Sequence, residues 1–227
     1  MRFAQQKGMS VAQNLSRIRE SLGANPVKLI AVTKTATPGQ IEEAFECGVT
    51  EFGENRVQEA VKKQNALPPR MASQVNWHFI GHLQTNKVKQ AVGKFVLIHS
   101  VDSFRLAEEI SKTAQAKNIV QPILLQVKVV DDESKGGFSP DELRHAFPQI
   151  HALAGIEIKG LMTITPLTAD EKVRANCFDG LKDLRDELEA KHNVTLTELS
   201  MGMSDDYGEA LSHGATMVRI GRAIFEG

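Results

Sequence analysis

This sequence predicts an α/β barrel of eight parallel strands alternating with helices, with one extra helix ahead of the first strand. Three observations carry that expectation. Eight short runs rich in Val, Ile and Leu recur along the chain, several of them apolar nearly end to end, as parallel strands buried on both faces require. Segments of helical period lie between them. The first strand-to-helix turn, TKTATPGQ, lacks the Gly-x-Gly-x-x-Gly pattern that would favour a doubly wound open sheet. No linker or break in composition divides the 227 residues, so 1–227 reads as a single barrel domain.

Ser10 precedes Val11, Leu15, Ile18 and Leu22, an amphipathic helix. KLIAVTK (28–34) is the first strand. Thr37-Pro38-Gly39-Gln40 then supplies an N-cap, a proline at the first helical position and a capping-box glutamine, with Gly48 as the stop. Strands two to five are EFGENR (51–56), WHFIG (77–81), FVLIHSV (95–101) and PILLQVKV (122–129). Ser139-Pro140-Asp141-Glu142 repeats the helix start, ahead of Leu143, Ala146, Phe147 and Ile150 at helical spacing. EIKGLMTI (157–164) is the sixth strand. Val173, Cys177, Phe178, Leu181, Leu184 and Leu188 form the apolar stripe of a long helix whose wet face is KDLRDELEAKH (182–192). LTELSMG (196–202) and TMVRIG (216–221) complete the set, with Asp205 and Asp206 favouring a helix start after Ser204. Only Arg222 to Gly227 come after the eighth strand. The helix after Ser10 is therefore expected to cover the wall that a longer last helix would cover.

Composition excludes several function classes. A formal net charge of −1 gives no electrostatic case for nucleic acid or an anionic membrane. Cys47 and Cys177 are too few and too far apart for a disulfide framework or a cysteine zinc site. The opening MRFAQQKGMS has no apolar core of a secretory signal, and no stretch approaches about 18 apolar residues. A cytoplasmic protein is expected, and a monomer, because no long apolar stripe remains once the helices face the barrel.

In such barrels the site lies at the C-terminal strand ends, with phosphate commonly held after strands seven and eight. Lys34 ends the first strand. It is either a solvated strand terminus or a reactive amine, and desolvation at the barrel mouth would favour the neutral, nucleophilic form. Ser200 offers a hydroxyl at the end of strand seven, and Gly202 a close backbone approach. Gly221 stands at a strand-to-helix turn suited to phosphate. A lysine on strand one with a phosphate cradle on strands seven and eight points to a phosphorylated aldehyde, pyridoxal 5'-phosphate foremost. Arg219 facing its pyridine nitrogen would keep that nitrogen unprotonated and weaken the electron sink. His78 and His82 do not make a chelating pair, so no metal is expected, and His78 is assigned a hydrogen bond within the barrel. Trp77 is expected to pack against helices, and Lys135 is read as a loop charge.

The stretches AVTKT (31–35), FGENRVQE (52–59), WHFIGHLQTNK (77–87), SVDS (100–103), SKGGF (134–138), GLM (160–162), LSMGMSDD (199–206) and VRIGRAIF (218–225) closely resemble the YggS/PROSC family of pyridoxal phosphate homeostasis proteins. The resemblance implies a barrel similar to that of alanine racemase, with Lys34 as the aldimine lysine. It implies Ser200 and the Gly221–Arg222 turn at the phosphate, Arg219 at the pyridine nitrogen, and Asn55 lining the pocket. It also implies a role in vitamin B6 and amino-acid balance, without an established catalytic activity. Thr33 stands where the family often has Ser, Arg222 where Thr or Ser is expected, and Glu226 interrupts the usual Ile-Phe-Gly ending.

Three functions compete: a pyridoxal phosphate carrier or homeostasis factor, an amino-acid racemase, and a cofactor-free Schiff-base lyase. Racemisation needs acid–base groups on both faces of the cofactor. Lys34 can serve one face, and Tyr207, just past strand seven, is poorly placed for the other. The lyase leaves Arg219 unexplained. A complete cofactor cradle with an incomplete catalytic set favours the first function, with pyridoxal-phosphate-dependent apoenzymes as candidate acceptors.

Overall fold

The computed structural model describes residues 9–130, 135–167 and 169–226. Residues 1–8 of the opening stretch and Ser134 of SKGGF lie outside them. The strands are β1 Lys28–Val32, β2 Glu51–Glu54, β3 Asn76–Phe79, β4 Leu97–Val101, β5 Gln121–Gln126, β6 Ile156–Met162, β7 Glu198–Ser200 and β8 Met217–Ile220. They close into a barrel in sequence order, β8 returning to β1 in parallel with Ile30 opposite Arg219. Around them lie α1 Val11–Leu22, α2 Pro38–Glu46, α3 Val57–Ala66, α4 Pro69–Ala72, α5 Val88–Ala91, α6 Phe104–Ala116, α7 Pro140–His151, α8 Glu171–His192, α9 Tyr207–Ser212 and α10 Arg222–Phe225. This is a (β/α)8 barrel with one additional N-terminal helix.

The helix starts form where cap chemistry requires. Ser10 with Gln13, Thr37 with Gln40 and Ser139 with Glu142 each make a full capping box. Strands are shorter than the apolar runs: β1 stops at Val32, two residues before Lys34, and β2 stops at Glu54. Near Asp206 the expectation needs correcting. Its side chain does not cap α9; it accepts from Thr165 Oγ1 at 2.6 Å and from the Met203 N–H at 2.6 Å.

Alternation along the strands divides the interior in two. Outward residues such as Phe52, Phe79, Ile98, Leu161 and Ile220 pack under the helices in the main core. Trp77 lies in this layer, its ring 5.8 Å from that of Phe52. Inward, a small apolar layer of Leu97, Leu124, Met162 and Met217 shares the lumen with polar side chains. Helix α1 packs on α2, α9 and α10, and Asn14 Nδ2 donates to the Ile224 carbonyl at 3.0 Å. It covers the wall that the four-residue α10 leaves open.

Candidate functional site

In β8, Met217 and Arg219 point inward, and Gly221 continues that parity. In β1 the inward set is Lys28, Ile30 and Val32, continued by Lys34. In β2 it is Glu51 and Gly53, continued by Asn55. In β7 it is Glu198 and Ser200. Side chains alternate along a strand, so Ser200 and Arg219 fall on the lumen parity, while Lys34, Asn55 and Gly221 stand just past the ends of β1, β2 and β8, which run side by side with β7.

Lys34 lies in the turn between β1 and α2 and is exposed. The backbone sets this position: the Thr33 N–H donates to Gly53 O at 2.9 Å, and Ala36 N turns back onto Thr33 O at 3.0 Å. Lys34 therefore stands at an open mouth, in the solvated setting of the first of the two readings and not in the desolvated one of the second. Opposite-facing Thr33 donates to Glu54 Oε1 at 2.9 Å, and Glu54 pairs with Lys63 of α3. That ion pair braces the wall behind Lys34. Nothing in the sequence marks it, because Glu54 and Lys63 look like ordinary strand-end and helix-surface charges.

Asn55 caps the β2 parity, and its Oδ1 is buried without a hydrogen-bond partner. A buried amide oxygen left alone is costly, so this atom marks a place where a donor belongs. Gly81 makes the position possible, because a Cβ there would collide with the Asn55 carbonyl.

Arg219 is buried, donating from Nη1 to Ser200 Oγ at 2.7 Å and from Nη2 to the Thr163 carbonyl at 2.8 Å. Burial pulls its guanidinium down to about 10, opposed by the charge of Asp206; it stays cationic at neutral pH. Ser200 thus sits beside Arg219 with its oxygen occupied, and it also meets His99 Nδ1 at 2.8 Å. The spacing that suggested a hydroxyl aimed at phosphate could not show this lateral contact. His99 Nε2 lies 2.9 Å from His78 Nδ1, and His78 Nε2 lies 2.6 Å from Glu51 Oε2. His78 indeed bonds within the barrel. His99 and Glu51 were not among the expected site residues, although the inward parity of His99 in an otherwise apolar strand was a usable signal.

Gly221 opens α10: the Ile224 and Phe225 N–H groups donate back to its carbonyl at 2.9 and 3.0 Å, while Arg222 and Ala223 stand too early in the helix to have a partner within it. Arg222 is exposed, its guanidinium paired with Asp205; its side chain is engaged there and its backbone belongs to the turn. Ser204 Oγ accepts from the Ala223 N–H at 3.4 Å, which brings a second serine of LSMGMSDD to the same turn. His82 is exposed beside Asp102 at 3.2 Å, and no cluster of three metal-ligating side chains occurs among the described residues. Among them no helix is long and apolar enough to cross a membrane.

The family model described as alanine racemase, N-terminal domain, matches residues 9–227. A pyridoxal phosphate homeostasis protein of Aquifex aeolicus (strain VF5) is 44% identical over 226 residues, covering 96% of this chain and 98% of the relative. The chain belongs to the pyridoxal phosphate homeostasis protein family. Another member, from Synechocystis sp. (strain ATCC 27184 / PCC 6803 / Kazusa), is 43% identical over 199 residues, 88% of this chain and 90% of its own. The structure of PipY of Synechococcus elongatus PCC7942 with PLP bound superposes at a TM-score of 0.87, with 39% identity, 95% of this chain and 100% of PipY covered. Alanine racemase of Clostridium difficile 630 shares the fold at a TM-score of 0.77 and 16% identity, the match taking in 95% of this chain and 56% of the racemase.

Proposed function

We propose that the protein holds pyridoxal 5'-phosphate on Lys34 and serves cytoplasmic vitamin B6 and amino-acid balance as a monomer, without a strong catalytic activity of its own. One observation carries the reading: Lys34, Asn55 and Gly221 stand just past the C-terminal ends of adjacent strands, beside inward-facing Arg219, in a chain 39% identical to PipY, whose structure has PLP bound. The donor set suits the group. Lys34 offers an exposed amine, and the Gly221–Arg222 backbone suits a phosphate. When bound, the cofactor would supply an aldehyde, the group that the Lys34 amine would hold covalently.

The chain's own residues tune that chemistry. Arg219, cationic at neutral pH, would keep a pyridine nitrogen beside it unprotonated and so weaken the electron sink. Ser200 contributes through Arg219, and Arg222 through its backbone. The open mouth leaves Lys34 accessible, which suits exchange with free amino acids or with pyridoxal-phosphate-dependent apoenzymes. The racemase alternative lacks a second acid–base group: the Tyr207 hydroxyl accepts from Ser21 Oγ of α1 at 2.8 Å, on the outer wall.

The test is the visible spectrum of the protein and of Lys34→Ala after incubation with pyridoxal phosphate, followed by borohydride and peptide mapping. A yellow wild type with the reduced adduct on Lys34, absent from the variant, supports the reading. A colourless protein without adduct overturns it and favours the cofactor-free lyase.

A further inference from the structure

A hydrogen-bonded chain crosses the lumen from the floor of the barrel to its mouth. Glu51 starts β2 on the floor; His78 of β3, His99 of β4 and Ser200 of β7 come next; Arg219 of β8 ends it. The links run 2.6, 2.9, 2.8 and 2.7 Å. His78, His99, Ser200 and Arg219 are each 4% exposed or less.

With both histidines neutral, the two ends fix the direction of every link. A carboxylate only accepts and a guanidinium only donates. Glu51 therefore takes the proton on His78 Nε2, which leaves Nδ1 of a neutral His78 as an acceptor. His99 must donate to it from Nε2, so its own Nδ1 accepts. The one donor facing that nitrogen is the Ser200 hydroxyl. With its proton committed to His99, Ser200 meets Arg219 with lone pairs alone. Each bond polarises the next in the same sense, which strengthens the terminal contact. A protonated His78 would reverse the middle links: His99 would donate from Nδ1 to Ser200, and the serine proton would be released.

The geometry points to Glu51, His78 and His99 as positioning residues for Arg219, a relay that turns Ser200 into a dedicated acceptor for the guanidinium. The charged and titratable groups around the relay are Lys28 of β1 and Glu198 of β7, whose charged ends lie 4.0 Å apart, and Asp206 near Arg219. Asn76 Nδ2 holds the other Glu51 oxygen at 2.8 Å. The relay stands without any ligand. Its effect on a bound pyridoxal group rests on the function proposed above.

Histidine and arginine 15N NMR of the ligand-free protein tests it directly. His78 and His99 are expected with Nε2 protonated and Nδ1 bare, joined by a coupling across their hydrogen bond, and Arg219 with resolved guanidinium signals. A proton on His99 Nδ1 at neutral pH, or two exchanging tautomers, overturns the relay. Glu51→Gln keeps an oxygen for His78 and should preserve both patterns. Glu51→Leu removes it and should mix the His99 tautomers and average the Arg219 signals; unchanged Arg219 signals there overturn the positioning role. If Glu51→Leu does not fold, the wild-type and Glu51→Gln spectra still decide. With pyridoxal phosphate added, the pH midpoint of the visible band should move at least threefold in proton concentration in Glu51→Leu and return in Glu51→Gln. A wild type that never turns yellow sinks the proposed function and leaves the tautomer result standing.

Discussion

Lys63 and Glu54 form an ion pair immediately behind the Lys34 turn, with side chains 18% and 2% exposed. Thr33 adds a hydroxyl donor to the same carboxylate, and Lys63 Nζ also reaches the Thr33 carbonyl at 2.5 Å. Removing one member of a buried pair strands the other's charge, which costs about 3–5 kcal/mol, whereas removing both is far milder. Lys63→Met should therefore lower unfolding stability by about that amount in urea titrations, and Glu54→Gln in the same chain should recover much of it. A loss below about 1 kcal/mol would mean that water screens Glu54 and that the pair contributes no more than a surface one. This cluster was illegible in the sequence because no spacing rule joins residues 54 and 63 across a strand end and a helix. Lys34 itself was legible as a residue and not as an environment: an apolar run shows where a strand begins to be buried, not where its last ladder bond falls.

At the scale of elements, local chemistry was the readable part. Three capping boxes form where Ser or Thr stands three residues before Gln or Glu. Thr37→Ala should cost about 1 kcal/mol, read as a lower urea midpoint, since its hydroxyl accepts the Gln40 N–H. An unchanged midpoint would show that α2 is held by packing alone. The turn after β7 depends on Gly202, at φ +91° with its carbonyl accepting the Arg219 N–H at 2.9 Å. A Cβ there would sit 2.7 Å from that of Ala210. Gly202→Ala should destabilise the chain by about 1–3 kcal/mol and disturb Arg219 as well, visible as altered guanidinium NMR signals. Loss of stability with those signals intact would separate the turn from the site. Strand identities came from period and composition, but the polar lumen did not. Which inward side chains meet depends on the stagger of neighbouring strands, set by the whole closed sheet.

For the molecule as a whole, the lumen relay couples stability to pH. Burial holds the His99 imidazole well below its usual 6.5, with the charges of Arg219 and Lys28 adding to it. Below 6.5 the unfolded chain binds a proton there that the folded protein refuses, so that contribution is present above 6.5 and lost as pH falls. For Glu51, burial pushes upward, but hydrogen bonds from His78 and Asn76 and the charge of Lys28 outweigh it and leave the carboxyl below 4.5. Its contribution is present above 4.5 and is lost as pH drops through the folded value. The urea midpoint should therefore fall between about pH 7 and 5 and again in stronger acid. His99→Gln should flatten the first fall, and a wild-type midpoint constant across that range would contradict a buried neutral His99. The clasp of α1 over α10 carries a different lesson, about order in time. Synthesis delivers Val11, Leu15, Ile18 and Leu22 first; α2 follows soon after, but the partners in α9 and α10, Ile224 among them, come some two hundred residues later. Until β8 leaves the ribosome, neither the ring nor the full seat of α1 exists. The nascent chain thus carries an incompletely covered apolar helix through nearly the whole of its synthesis, the interval in which it is most exposed to aggregation.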